Sequence, residues 1–148
     1  MLSALVIWVF VNLCAVHAEQ GSPTSYQAMS DRFFTMVREG KNSEGIDYLF
    51  STNPSLQKLQ DQANQLKAQF SSLNAIVGSY VSHTKLVETK VAGSYVYQHY
   101  FVAYQRQPVS VRIAYYKSGD NWGCYSLQFD TKLTDNINDE SDRRIAME

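Results

Sequence analysis

The sequence predicts an α+β fold in which three N-terminal helices pack on a curved antiparallel sheet of about four strands. Between residues 26 and 73, apolar residues recur at steps of three and four, which is the period of a helix with one buried face. From residue 80 to residue 130 the chain is rich in Val, Tyr, Phe and Thr, which favour strands. Helices and strands occupy separate halves, so the order favours α+β over an alternating parallel arrangement.

Two helices are predicted before residue 53, and the second of them is short. The first is predicted to start near Ser22-Pro23, where a polar residue precedes a proline at an early helical position. Gly40 is placed to end it, and Asn42 or Ser43 can cap the second helix. The apolar stripe of the first helix consists of Tyr26, Met29, Phe33, Met36 and Val37.

The third helix has the strongest pattern. It opens at Asn53-Pro54 and runs to about Asn74. Its apolar stripe consists of Leu56, Leu59, Ala63, Leu66, Phe70 and Leu73. Its opposite side carries Gln57, Gln60, Gln62, Gln65 and Gln69. We interpret the glutamine side as solvated, with a partner helix as the alternative.

Breaks at residues 92–94, 106–108 and 118–121 divide the second half into four strands. The predicted strands are Tyr80–Val91, Tyr95–Gln105, Val109–Lys117 and Trp122–Asp130. The links between them are short, so neighbouring strands should form antiparallel hairpins, because a parallel pair needs a long crossover.

The predicted domain organisation is a signal peptide over residues 1–18, one domain over residues 19–130 and a flexible polar tail over residues 131–148. An apolar run ends at Val16-His17-Ala18, whose small residues suit signal cleavage and predict a periplasmic or secreted protein. No Lys or Arg precedes that run, which leaves an uncleaved anchor or a misplaced start as alternatives. Cys14 offers lipidation as a further alternative, although Leu13 before it is not a small residue.

Composition excludes several classes of function. The formal net charge of −1 gives no basic surface for nucleic acid. Cys14 lies in the signal, so Cys124 has no partner for an internal disulfide. We find no phosphate-binding or dinucleotide-binding glycine motif and no clustered metal ligands, and therefore expect no cofactor and no metal. No second apolar stretch of membrane length follows the signal, so no membrane association is expected after cleavage.

Several short segments of the sequence resemble those of small exported NTF2-like proteins, whose α+β domain is cone-shaped. Their first two helices are similar to Phe33-Phe34, Glu39-Gly40-Lys41 and Ile46-Asp47-Tyr48-Leu49, and their last hairpin is similar to residues 115–122, YYKSGDNW. The resemblance covers about residues 25–130. It implies a pocket inside the cone and a homodimer formed through the open sheet face. It does not imply one activity, because this fold hosts enzymes, transport factors and binding modules.

Alternation along the strands predicts which side chains face the helices. On the second strand the coherent inward set is Val96, Gln98, Tyr100, Val102 and Tyr104. On the last two strands the inward sets are Val109, Val111, Ile113 and Tyr115, and then Tyr125, Leu127 and Phe129. The polar lining of a pocket would then be Gln98, Tyr100, Tyr104, Tyr115 and Tyr125. A register shifted by one would replace Tyr100 with Tyr97, His99 and Phe101.

Three functions fit these patterns. The leading hypothesis is an exported, non-enzymatic module that binds a small ligand or a protein partner. The first alternative is an isomerase-like or dehydratase-like enzyme with His83 or His99 as the catalytic residue, since only Glu88 and Asp130 are acids on the predicted strands. The second alternative is a structural or assembly subunit that works through the sheet face.

Overall fold

The computed structural model describes residues 25–133, 135 and 137–139. The helices are α1 (Tyr26–Arg38), α2 (Asn42–Ser51), α3 (Pro54–Gln57) and α4 (Gln60–Val77). The strands are β1 (Tyr80–Val91), β2 (Tyr95–Tyr104), β3 (Val109–Ser118) and β4 (Asn121–Asp130). The predicted α+β class is confirmed, and the strand bounds agree with the prediction to within one residue. The predicted signal peptide lies outside the described residues.

One antiparallel sheet of order β1-β2-β3-β4 forms the second half of the domain. The helices pack on one face of it, which we call the inner face. Phe34 of α1 lies 4.6 Å from the Tyr100 ring, and Phe70 of α4 lies 4.7 Å from the Phe129 ring, between centroids. The opposite surface is the outer face. A small α+β domain with a curved four-stranded sheet is compatible with an NTF2-like fold.

Both ends of α1 have recognisable caps. The Ser25 hydroxyl accepts a hydrogen bond from the backbone N–H of Ala28 at 3.1 Å, so α1 begins one turn after the predicted start at Ser22-Pro23. Gly40 has φ +76°, a conformation that glycine adopts at little cost. The backbone N–H groups of Gly40 and Lys41 donate to Val37 and Met36, at 3.0 and 2.8 Å, which is a Schellman motif.

The predicted third helix is interrupted. Asn53 caps α3 as expected, since its Oδ1 accepts from the Ser55 N–H at 3.0 Å. At Leu59 the backbone leaves the helical region, with φ −100° and ψ 50°. The Leu59 N–H donates to the Leu56 carbonyl at 2.9 Å, which closes a tight turn and separates α3 from α4. The periodicity did not reveal this break, because Leu56 and Leu59 continue the apolar spacing on both sides of it.

Alternation along β2 places its side chains as predicted. Val96, Gln98, Tyr100, Val102 and Tyr104 are all at most 8% exposed. The alternative register is wrong, because Tyr97, His99 and Phe101 lie on the outer face and are only half-buried.

Tyr125 does not face the helices, and that prediction is wrong. Ala114 pairs with Ser126 and Tyr115 pairs with Cys124, so a bulge in β4 leaves Tyr125 unpaired. Tyr125 is consequently 58% exposed, while Cys124 is fully buried. Beyond the bulge, Leu127 is buried as expected.

The α2–α3 turn contacts the chain beside this bulge. The Cys124 N–H donates to the Thr52 hydroxyl at 2.9 Å, and the Asn53 amide donates to the Cys124 carbonyl at 2.8 Å. A Cβ on Gly123 would lie 2.8 Å from the Thr52 carbonyl oxygen, so only glycine permits this approach. The bulge is therefore stabilised by residues far away in the sequence.

The predicted tail is described only at residues 131–133, 135 and 137–139. Residues 133, 135 and 137–139 are helical, and Leu133 is 7% exposed. The boundary at residue 130 stays a prediction. Within the described part of the chain, no helix is both long enough and apolar enough to cross a bilayer.

Candidate functional site

A cluster of polar side chains is buried between α1 and the inner face of the sheet. We call Ser30, Gln98, Tyr100 and Tyr115 the buried polar cluster. The Ser30 hydroxyl donates to Gln98 Oε1 at 2.6 Å, and the Tyr100 hydroxyl donates to the same oxygen at 3.0 Å. Because the single Ser30 proton is used in this way, the Tyr115 hydroxyl, 2.7 Å away, donates to Ser30 Oγ.

The amide nitrogen of Gln98 also makes two hydrogen bonds. It donates to Glu88 Oε2 at 2.9 Å and to Gln27 Oε1 at 3.3 Å. Gln98 thus makes the four hydrogen bonds that a glutamine side chain can make, although it is fully buried. Three of the predicted lining residues, Gln98, Tyr100 and Tyr115, are brought together here, but they are packed against each other and against α1.

Glu88 links this cluster to the edge strand β1. Its carboxylate accepts from Lys85 Nζ at 2.5 Å and lies 3.3 Å from Lys90 Nζ. The hydrogen bond from Lys85, and then the one from Gln98, lower the pKa of Glu88 to about 2. The carboxylate is therefore held as an anion and accepts a proton poorly. An isomerase would need a good general base at this position.

The fourth predicted residue, Tyr104, has a different environment. Its hydroxyl is buried and has no hydrogen-bond partner among the described residues, and the side chain is 8% exposed. Desolvation raises the pKa of Tyr104 to about 12, so the hydroxyl keeps its proton. An unpartnered buried hydroxyl costs roughly 1–3 kcal/mol and calls for an explanation.

Tyr104 lines a cavity of about 580 Å³, which we call the Tyr104 cavity. Its lining residues are Val37, Arg38, Glu39, Gly40, Asn42, Asn74, Gly78, Ser79, Tyr80, Tyr104, Gln105 and Arg106. The Oδ1 atom of Asn42 is also buried without a partner. Tyr104 and Asn42 thus line one cavity, and each has a buried polar atom without a partner among the described residues. The volume of the cavity lies within the range of small-molecule sites.

Two glycines at helix ends build the walls of the Tyr104 cavity. Gly40 turns the chain from α1 into α2, which places Arg38 and Asn42 at the same opening. Gly78, with φ +84°, ends α4. Arg106 then donates from Nη1 to the carbonyl of Ala75 at 2.8 Å, which satisfies an unpaired carbonyl at the end of α4.

The charge at the Tyr104 cavity is positive. Arg38 and Arg106 line it and form no ion pair within residues 25–133. The one acid in the lining, Glu39, lies 2.8 Å from Lys41 Nζ. The hydrogen bond from Lys41 lowers the pKa of Glu39, and the same contact raises the pKa of Lys41. The cavity thus offers guanidinium donors with no free carboxylate to oppose them.

The two candidate catalytic histidines do not meet. His83 pairs with Val102 on the inner face, whereas His99 pairs with Arg112 on the outer face. The His83 ring stacks on Phe34 at 4.0 Å, and its Nδ1 lies 2.6 Å from the Tyr80 hydroxyl. Partial burial of the ring against Phe34 lowers the pKa of His83, although the residue as a whole is exposed on the edge strand β1.

His99 Nε2 lies 2.8 Å from the Ser110 hydroxyl. Burial, and then the charge of Arg112, lower the pKa of His99. Beside it, Arg112 forms an ion pair with Asp130, and the Nε atom of Arg112 is buried without a partner. The nearby Asp130 carboxylate raises the pKa of His99 in part. It is ion-paired with Arg112, which makes it a poor partner for proton transfer.

Neither an activated thiol nor a metal site is found among the described residues. Burial raises the pKa of Cys124 to about 12, so its thiol is protonated and a weak nucleophile. Across the described residues, no group of three or more His, Cys, Asp and Glu side chains is arranged to hold a metal ion.

The described residues form a small α+β domain with an open four-stranded antiparallel sheet. In comparisons with known proteins, the chain matches no family model, no curated protein and no solved structure.

Sequence reasoning missed Arg38 and Asn42 as cavity residues. Neither lies on a strand, and neither belongs to an apolar stripe. The sequence nevertheless contained an indication, because both residues flank Gly40. A glycine that ends one helix just before another indicates a sharp turn of the chain.

Proposed function

We propose that the protein is an exported, non-enzymatic module of NTF2-like fold that binds a small ligand in the Tyr104 cavity. One observation carries the proposal: Tyr104 and Asn42 line the same cavity, and each has a buried polar atom without a partner among the described residues. Buried polar groups in folded proteins are otherwise nearly always paired. Water can fill this cavity in the free protein, and a ligand can displace that water.

Several features favour binding over catalysis. The inner-face tyrosines other than Tyr104 have their hydroxyls engaged, Glu88 is held as an anion by Lys85, and the histidines lie on opposite faces. A catalytic histidine remains the alternative with less support. The proposal of export rests only on the sequence of residues 1–18. The periplasmic or secreted location is part of that proposal.

The test is native mass spectrometry of the full chain, expressed with its leader and purified gently. We expect the wild type to retain a small-molecule mass and Tyr104→Phe, which removes one oxygen atom, to lose most of it. Tyr116→Phe is the matched control, because Tyr116 lies outside the Tyr104 cavity and is 49% exposed. The proposal fails if the wild type carries no added mass, or if Tyr104→Phe retains it as fully as Tyr116→Phe does.

The outer face supports a second candidate, assembly of two copies through the sheet. Its exposed large side chains include Val87, Val91 and Tyr116, and apolar patches of this kind mark interfaces. The charged side chains Arg112 of β3 and Asp130 of β4 form an ion pair on this face, so two such faces can meet without leaving this pair uncompensated. The same native spectrum reads the oligomeric state: a dimer supports this candidate, and a monomer at micromolar concentration counts against it.

A further inference from the structure

The two edges of the sheet differ in what covers them. At the β4 edge, Thr52 and Asn53 bond the backbone of Cys124. β1 is the outermost strand on the other side, and among the described residues nothing hydrogen-bonds to the backbone on its free side. Unpaired N–H and C=O groups along an edge strand can pair with another strand.

The regular part of the free edge is residues 87–91, which we call the β1 edge segment. Register shifts at Val81 and Leu86 interrupt β1 before it, whereas its own pairing with β2 continues without a shift. It contains no proline, so every residue has a backbone N–H. Four of its five side chains are exposed, and the fifth, Glu88, is half-buried.

The sequence of the β1 edge segment, VETKV, is complementary to itself in the antiparallel direction. When two copies pair about Thr89, Val87 lies opposite Val91 of the second copy, and Glu88 lies opposite Lys90 of the second copy. Apolar pairs and opposite-charge pairs directly across antiparallel strands are stabilising. Opposed residues in this register are an even number of positions apart along β1, so the backbone groups that both direct away from β2 can meet.

We infer that the protein forms a symmetric dimer in which two β1 edge segments pair about Thr89 and join the two sheets into one. Val87, Thr89 and Val91 lie on the outer face of that continuous sheet. Glu88 and Lys90 lie on its inner face. Both copies use the same segment, so the contact closes at two copies. This dimer is independent of the Tyr104 cavity, and it differs from assembly through the outer face because the sheets meet edge to edge.

A disulfide tests the register. Residues directly opposite each other in antiparallel strands have Cα atoms about 4.5–5.5 Å apart, a distance that a disulfide spans. Thr89→Cys in a Cys14→Ser background, which leaves the buried Cys124 as the only other cysteine, should therefore form a disulfide-linked dimer under mild oxidation. Val87→Cys is the matched control. Its two copies would lie roughly 13 Å apart, so it should not crosslink alone, but it should crosslink when mixed with Val91→Cys.

Sedimentation velocity of the full chain measures the same dimer without a crosslink. The contact is short, so we expect a dissociation constant on the order of 100 µM. Lys90→Glu places like charges opposite Glu88 at both ends of the segment and should weaken the dimer about tenfold. Lys58→Glu, the same charge change at an exposed position at the end of α3, should leave it unchanged.

The outcomes separate the edge from the outer face. A dimer that is weakened by Tyr116→Lys and not by Lys90→Glu lies on the outer face, and it overturns the edge contact. A wild type that stays monomeric up to about 500 µM also overturns it. If Thr89→Cys does not crosslink, or if Val87→Cys alone crosslinks as fully, the pairing about Thr89 is wrong.

Discussion

Two buried tyrosines on the inner face of the same sheet have opposite hydrogen-bond environments. Tyr115 is fully buried, and its hydroxyl donates to Ser30 of α1. Tyr104 is buried almost as deeply, yet its hydroxyl has no partner in the described protein. Burial raises the pKa of both phenols, so both are neutral. The difference between them lies in whether a helix supplies a partner.

That difference separates a structural group from a candidate binding group. Around Tyr115 the helix α1 provides Ser30, and Ser30 in turn reaches Gln98. Around Tyr104 the nearby chain consists of helix ends and turns, which leave a cavity in place of a packed partner. A satisfied polar cluster fixes the packing of helix on sheet, whereas the Tyr104 hydroxyl makes no such contact and its residue lines a cavity.

The largest effect on stability should come from the centre of the buried polar cluster. Gln98→Ala leaves the hydroxyls of Ser30 and Tyr100 without their common acceptor and creates a void. We expect the free energy of unfolding to fall by about 3–5 kcal/mol, measured by urea denaturation. Gln128→Ala, at an exposed position on β4, is the control and should change it by less than about 0.5 kcal/mol. A loss below about 1 kcal/mol for Gln98→Ala would show that the cluster does not hold the helix on the sheet.

A smaller and more direct comparison uses the two tyrosines themselves. Tyr115→Phe removes a donor from Ser30 Oγ and should lower the free energy of unfolding by about 1–2 kcal/mol. Tyr104→Phe removes a buried hydroxyl that makes no protein hydrogen bond, so it should leave the free energy of unfolding of the ligand-free protein unchanged or raise it by up to about 1–3 kcal/mol. Urea denaturation of both variants side by side gives the answer. Equal losses would mean that the two hydroxyls have the same role.

A third effect is confined to acid. Because hydrogen bonds lower the pKa of Glu88 from 4.5 to about 2, its ionised form stabilises the folded state. That contribution is complete above pH 4.5, the value in the unfolded chain, and is lost as the pH falls from there towards 2. Urea midpoints measured across this range should therefore fall less steeply for Glu88→Gln than for the wild type.

Asp120→Asn is the control for the acid experiment, since Asp120 is exposed in the turn between β3 and β4. It should keep the wild-type pH dependence. If Glu88→Gln also keeps it, the contacts with Lys85 and Gln98 do not lower the pKa of Glu88.

The sequence by itself determined the class of fold and most of the local structure. Periodicity near 3.6 located the helices, and runs of β-branched and aromatic residues located the strands to within one residue at each end. Alternation placed Gln98, Tyr100 and Tyr104 on the inner face. These features depend on neighbours within a few residues, which is why a pattern along the chain contains them.

Only the tertiary structure decided which of those side chains have hydrogen-bond partners and where the alternation of the strands is broken. The bulge at Tyr125 reverses the alternation where the α2–α3 turn binds Cys124, at a sequence distance of about 70 residues. Ser30 lies 68 residues from Gln98 and 85 from Tyr115, so nothing local distinguishes Tyr115, which has a partner, from Tyr104, which has none. Periodicity gives the face on which a side chain lies, whereas its hydrogen-bond partners come from segments that meet only when the chain folds.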